Sequence, residues 1–197
     1  MEKITTKNLE TQTPYLWIIL GRKNSPLKEE FSVYYEKLSA WCQINARMWA
    51  FIGHDKDIDE DGNPKFRHIH ALIVLKDGSK PRLSTSLSRI STAVGLAPTD
   101  VDIEKADNIA SCIRYCLHKG YPEKYPYNVD ELVTNLNEEE LKPYLDLDNK
   151  SFTASYLIQL VELCGGNRLN IMKQIGLANY QRYRNCISDI RAELGYV

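Results

Sequence analysis

The chain has no run of the roughly 18 apolar residues that a membrane span requires, and its opening Met1-Glu2-Lys3 leads into polar sequence where a secretory segment would turn apolar. A cytoplasmic protein with no membrane partner is expected. The sequence also lacks any CxxC pair. Its five cysteines, Cys42, Cys112, Cys116, Cys164 and Cys186, argue by odd number and spacing against a disulfide framework and a zinc ribbon, and are expected to be buried thiols. A surplus of charge of either sign is missing as well: the formal net charge is −1, where binding to nucleic acid favours an excess of positive charge. No internal repeat or low-complexity tract is present. What remains, 197 residues of which 43% are hydrophobic, is the composition of one or two ordinary globular domains.

The near-zero total hides an uneven distribution. Residues 1–125 carry 18 Lys and Arg against 16 Asp and Glu, residues 126–148 carry 1 against 7, and residues 149–197 carry 6 against 3. Acid is therefore concentrated in one short segment. A second acidic group, Asp55, Asp57, Asp59, Glu60 and Asp61, is one that a bound cation would partly neutralise.

Tyr15-Leu16-Trp17-Ile18-Ile19-Leu20, short, apolar and ended by Gly21, predicts a central strand. Ser25-Pro26 predicts a helix start, serine as N-cap and proline in the first turn, for an amphipathic helix running to about Cys42 with Phe31, Tyr34, Tyr35, Leu38 and Trp41 at helical spacing. Arg47 to His54 and Arg67 to Leu75 alternate as strands, and Asp61-Gly62 between them signals the turn of an antiparallel hairpin. A helix over Arg82–Ala93, a strand near Val101–Glu104 and a helix over Asn108–Lys119 complete the order β-α-β-β-α-β-α. The prolines of Tyr121-Pro122-Glu123-Lys124-Tyr125-Pro126-Tyr127 then stop the helix. From Ser151 onward the pattern is wholly helical. The expectation is an α+β protein: an antiparallel sheet with flanking helices over residues 1–130, and an all-α domain over 131–197.

The chemistry concentrates in the hairpin, which holds three of the chain's four histidines. In His68-Ile69-His70 the alternation of a strand puts both imidazoles on one face and Ile69, Ala71 and Ile73 on the other. His54 continues the face of Met48, Ala50 and Ile52, so any register that matches faces sets it opposite His68 or His70. Asp57, just past that strand, adds a carboxylate. Three imidazoles and one carboxylate make a mixed nitrogen and oxygen site suited to a divalent transition metal. The loop run Asp57-x-Asp59-x-Asp61-Gly62 matches the opening of an EF-hand, but its twelfth position is His68 rather than glutamate, so calcium is rejected. Asp59, Glu60 and Asp61 are left as a solvated tip.

On the helix after the fourth strand, a turn of 100° per residue places Asn108, Ser111, Tyr115, His118 and Lys119 on one polar face, with Ile109, Ile113, Cys116 and Leu117 toward the core. Tyr115 thus has no obvious core role. A phenol titrates near 10 and needs a polarised target or a nearby cation to act as a nucleophile at neutral pH. The metal site would supply the first. Lys119, one turn on, would supply the second, or else complement the helix dipole as a solvated lysine.

A histidine–hydrophobic–histidine strand followed some 45 residues later by a tyrosine helix resembles the HUH endonucleases, in the order of replication initiators. His54-Asp55-Lys56-Asp57, Gly62, His68-Ile69-His70, Arg114-Tyr115-Cys116-Leu117-His118-Lys119 and Pro122-Glu123-Lys124-Tyr125 are similar to the small plasmid-type Rep family with a single catalytic tyrosine, over roughly residues 12–130. The resemblance implies a split β-α-β endonuclease sheet and a rolling-circle initiator that nicks one strand at an origin. His54, Asp57, His68 and His70 would hold the metal, Mn2+ or Mg2+. Tyr115 would form a 5′-phosphotyrosyl bond and free a 3′-hydroxyl. Lys65, Arg67 and Arg114 are the expected DNA contacts, although the family's basic pair and proline before the histidines read Lys65-Phe66-Arg67 here. The C-terminal helices would make a homo-oligomer, and a host helicase would be a further partner.

Two other readings use the same residues. In one the chain is a non-enzymatic origin-binding or copy-control protein, with a helix-turn-helix over Gly165–Asn185 carrying Arg168, Lys173, Arg182 and Arg184. In the other it is a metal-dependent hydrolase using activated water, and Tyr115 is a bystander.

Overall fold

The computed structural model describes residues 9–59, 62–121, 123–145, 154–175 and 177–196. Glu60 and Asp61 at the hairpin tip, Pro122 and Ser151 lie outside them. The elements run β1 (Tyr15–Leu20), α1 (Phe31–Asn45), β2 (Ala46–His54), β3 (His68–Leu75), α2 (Leu83–Val94), β4 (Val101–Lys105), α3 (Ile109–Cys116), β5 (Val133–Thr134), α4 (Glu138–Leu145), α5 (Ala154–Leu163), α6 (Arg168–Ile175) and α7 (Leu177–Glu193). The five strands form one sheet in the order β4-β1-β3-β2-β5, and every neighbouring pair is antiparallel. The protein is α+β, as its alternating patterns predict.

Strands β1 and β3 are central and close to fully buried, which accounts for their nearly continuous apolar runs. One face of the sheet carries Leu16, Ile18, Phe51, Ile69, Ala71 and Ile73 against Tyr34 and Leu38 of α1 and Ile90 and Val94 of α2. The other carries Trp17, Met48, Ala50, Ile52, Leu72 and Val74 against Ile113, Cys116 and Leu117. Residues 131–145 join this second layer: β5 pairs with β2, and Leu132 and Leu141 pack in the same cluster as α3. The last three helices bury Leu157, Leu160, Val161, Ile171, Ile175, Ile187 and Ile190 in a cluster of their own. All five cysteines are free, with Cys42 and Cys116 buried.

Two helix ends differ from the sequence pattern. Helix α1 begins at Phe31, not at Ser25-Pro26. Arg22 and Ser25 exchange backbone hydrogen bonds of 2.9 Å, and the Leu27 N–H donates to the Arg67 carbonyl at 3.2 Å. Leu27 is 4% exposed, so burying it in an extended segment outweighs the local start signal. Helix α3 ends at Cys116, before Lys119 and before either proline. His118 takes φ 51°, the left-handed region; its N–H donates to the Tyr115 carbonyl at 3.0 Å and that of Lys119 to the Arg114 carbonyl at 2.8 Å. Those two bonds are a Schellman motif, with histidine where glycine is usual.

Candidate metal centre and tyrosine

The register of the hairpin pairs His54 with His68 and Ile52 with His70, so the three imidazoles share the face that α3 covers. His54 is 1%, His68 7% and His70 4% exposed, and Asp57 is 7% exposed. Backbone partners orient the rings of His54 and His68. His54 Nε2 donates to the Cys116 carbonyl at 2.8 Å and His68 Nδ1 to the Phe66 carbonyl at 2.8 Å. Because a carbonyl only accepts, these bonds fix the protons and leave His54 Nδ1 and His68 Nε2 as lone pairs, as in metal-binding histidines whose other ring nitrogen is held by a backbone carbonyl.

Those lone pairs converge. The ligand atoms of His54, His68 and His70 lie within 4.8 Å of one another, and so do those of His54, Asp57 and His118. His68 Nε2 and His70 Nε2 are 3.1 Å apart, a gap that an ion with nitrogen bonds of about 2.0–2.1 Å spans. His54 Nδ1, Asp57 Oδ1 and His118 Nε2 are buried with no hydrogen-bond partner. Buried polar atoms left in this state are costly unless something binds them, so the donor set fits a divalent cation. Burial also removes the competing protons: it depresses the His54 pKa to about 3, lowers that of His70 well below the usual imidazole range, and lowers His68 against the opposing pull of Asp57. Neutral imidazole is the form that ligates.

His118 is the site residue that the sequence pattern misplaced. It is 3% exposed rather than on a polar helix face. Its Nδ1 donates to the Tyr125 carbonyl at 2.8 Å, and its ring centroid is 4.4 Å from that of His54. Tyr127 steadies the same corner: its ring stacks on His54 at 4.5 Å and 6°, and its hydroxyl accepts the N–H groups of Asp55 and Lys56, each at 3.1 Å. The turn that carries Asp57 is thereby pinned to the segment after α3.

Tyr115 stands at the edge of this cluster. Its ring meets His70 edge-on at 5.1 Å and Trp17 at 5.9 Å, while Trp17 stacks on His70 at 5.2 Å. The phenol oxygen accepts a hydrogen bond of 2.6 Å from Lys124 Nζ. Lys119 is exposed and lines a cleft of about 420 Å3 together with His118, Tyr121, Lys124, Tyr127 and Lys173.

The expected DNA contacts are not equivalent. Lys65 is exposed and Arg67 half-buried, the latter 4.7 Å over the Phe31 ring and 3.3 Å from Glu30. Arg114 is 2% exposed and donates to the Tyr144 carbonyl at 3.1 Å. It fastens α4 to α3 and is buried. Arg168, Lys173, Arg182 and Arg184 are all exposed on α6 and α7. No helix among the described residues is long and apolar enough to cross a membrane. No protein-family model matches the chain, and no curated protein does.

Proposed function

We propose that this protein is a rolling-circle replication initiator of the HUH endonuclease type, nicking one DNA strand by attack of Tyr115 on a backbone phosphate. The observation that carries the reading is the tyrosine hydroxyl, bonded to an ammonium, at the edge of a buried cluster of imidazoles and carboxylate whose lone pairs lack partners. The sheet order, with the paired histidines on a central strand and the tyrosine on the helix that covers them, is compatible with the split β-α-β endonuclease fold. His54, Asp57, His68 and His70 would hold the cation, Mn2+ or Mg2+. When bound, such an ion withdraws charge from a phosphate and fixes its orientation.

The remaining work falls to the chain. Trp17 and His70 brace the Tyr115 ring, so its oxygen is presented in one direction. Attack gives a 5′-phosphotyrosyl bond and a free 3′-hydroxyl. Lys65 and Lys173, the latter in the cleft beside Tyr115, supply positive charge for a single strand. Ile158, Leu163, Leu169 and Leu177 of the C-terminal helices are exposed at 40%, 57%, 53% and 57%, an apolar surface suited to self-assembly.

The test is incubation with manganese and overlapping single-stranded oligonucleotides tiling the replicon that encodes the chain, followed by a denaturing gel. A protein–DNA adduct is expected, lost with the metal and lost in Tyr115→Phe. Cleavage without an adduct would indicate a hydrolase using water. Binding without cleavage would favour the origin-binding reading, for which the exposed basic residues of α6 and α7 are the supporting observation.

A further inference from the structure

We infer that Lys124, and not Lys119, is the catalytic cation of Tyr115: its ammonium stays hydrogen-bonded to the phenol oxygen while the bond to phosphorus forms. The inference rests on the nicking reading above and assigns a residue within it.

Lys124 Nζ lies 2.6 Å from Tyr115 Oη, the length of a strong charge-assisted bond. The same nitrogen sits 4.1 Å over the Tyr115 ring and 5.6 Å over that of Tyr121, so two aromatic faces hold it by cation–π attraction. Among the described residues Lys124 is the one hydrogen-bond donor on that oxygen. The other groups around the ring, Trp17, His70, His118 and Tyr121, meet it at ring centroids 5.1–5.9 Å away. The chain reaches this position by reversing after α3: Tyr121 N–H bonds to the His118 carbonyl and Lys124 N–H to the Tyr121 carbonyl, each at 3.0 Å. The reversal carries Lys124 back over the tyrosine and leaves Lys119 exposed.

In the nicking step the Tyr115 Oη–phosphorus bond forms and the phosphorus–O3′ bond breaks. The phenolic proton leaves to water, and the departing 3′ oxygen takes a proton from water. Lys124 neither gains nor loses a proton; it stabilises the negative charge that the phenol oxygen carries as its proton leaves and before its bond to phosphorus is complete. In the reverse, closing step the same ammonium stabilises the departing phenolate.

The experiment uses the full chain, manganese and the oligonucleotide that the wild-type protein captures covalently. Single-turnover adduct formation is followed for wild type, Lys124→Ala, Lys124→Arg and Lys119→Ala, with circular dichroism as the folding control and fluorescence anisotropy for oligonucleotide affinity. Lys124→Ala is expected to slow adduct formation by about 100-fold with a far smaller change in affinity. Arginine at this position restores part of the rate, and so does added methylammonium in proportion to its concentration. An amine supplied from solution restores a missing cation but does not restore lost packing. A wild-type rate in Lys124→Ala, or no response to either arginine or methylammonium, overturns the inference. So does a loss confined to Lys119→Ala. If the wild-type protein itself forms no adduct with any strand, the nicking reading fails first and the inference falls with it.

Discussion

Lowering the pH of the metal-free protein from 7 to 5 should destabilise it by about 4 kcal/mol through His54 and His70 alone. His54 and His70 are nearly inaccessible to solvent, and burial holds the first near a pKa of about 3 and the second well below its ordinary range. In the unfolded chain both titrate near 6.5. The unfolded state therefore binds more protons below that value, and stability is fully present above pH 6.5 and lost as the pH falls toward the folded pKa. At pH 5 each group that stays neutral in the fold costs about 2 kcal/mol, or about 4 kcal/mol for the two. The window from 7 to 5 lies above the range where most carboxylates titrate, which keeps the histidine contribution apart from general acid unfolding. Urea unfolding in a chelating buffer at both pH values gives the free energies, and the thermal midpoint should drop by about 8–16 °C over the same interval. The His70→Gln variant should lose about 2 kcal/mol of the dependence. An unfolding free energy that changes by less than about 1 kcal/mol between pH 7 and pH 5 would refute the burial argument and, with it, the idea that the imidazoles are held neutral for a metal.

Two substitutions test the backbone that frames the site. At His118 the left-handed conformation inverts the usual helix preference, so His118→Gly should be more stable than His118→Ala by about 1 kcal/mol, read by urea unfolding. Both variants should bind manganese more weakly than wild type in isothermal titration, by about 10-fold or more if His118 ligates. At Gly53, between Ile52 and His54, an added Cβ would lie 2.2–2.6 Å from atoms of the Phe31 ring. Gly53→Ala should therefore cost about 1–3 kcal/mol, and Phe31→Leu in the same chain should recover most of it.

Much of the fold and part of the site are legible because a strand has a period of two. Met48, Ala50, Ile52 and His54 alternate along β2, and His68, His70, Leu72 and Val74 along β3; a slip by one residue would carry one strand's set to the opposite face and part His54 from His68 and His70. Burial on both faces leaves one register, and that register sets His54 against His68. The apolar residues of α1 and α2 likewise appear on the buried side. The start of α1 was not legible, because Ser25-Pro26 is a local preference worth about 1 kcal/mol, whereas burying Leu27 is worth about 1.5–3 kcal/mol.

The surroundings of the tyrosine were hidden for a different reason. A helical wheel assumes that the helix continues, and on that assumption Tyr115, His118 and Lys119 share a solvent-facing side. The chain instead leaves helical geometry at Leu117 and turns left-handed at His118. That single φ reversal sends the imidazole inward, where its ring meets His54, and puts Lys119 outside. It also brings the segment after it back along α3, so that Tyr125 and Tyr127 contact His118 and His54 and Lys124 reaches the phenol oxygen. Arg114 shows the same limit from the other side: expected as a DNA contact, it is buried and donates a hydrogen bond to the Tyr144 carbonyl of α4. If the left-handed residue sets the arrangement, a substitution that restores helical geometry through Lys119 should exchange the two lysines. His118→Ala favours that extension, since alanine prefers the helix and avoids positive φ. Its adduct formation should then depend on Lys119 and no longer on Lys124. Unchanged dependence on Lys124 in that variant would mean that the turn is held by the contacts of Tyr125 and Tyr127, and not by the residue at its corner.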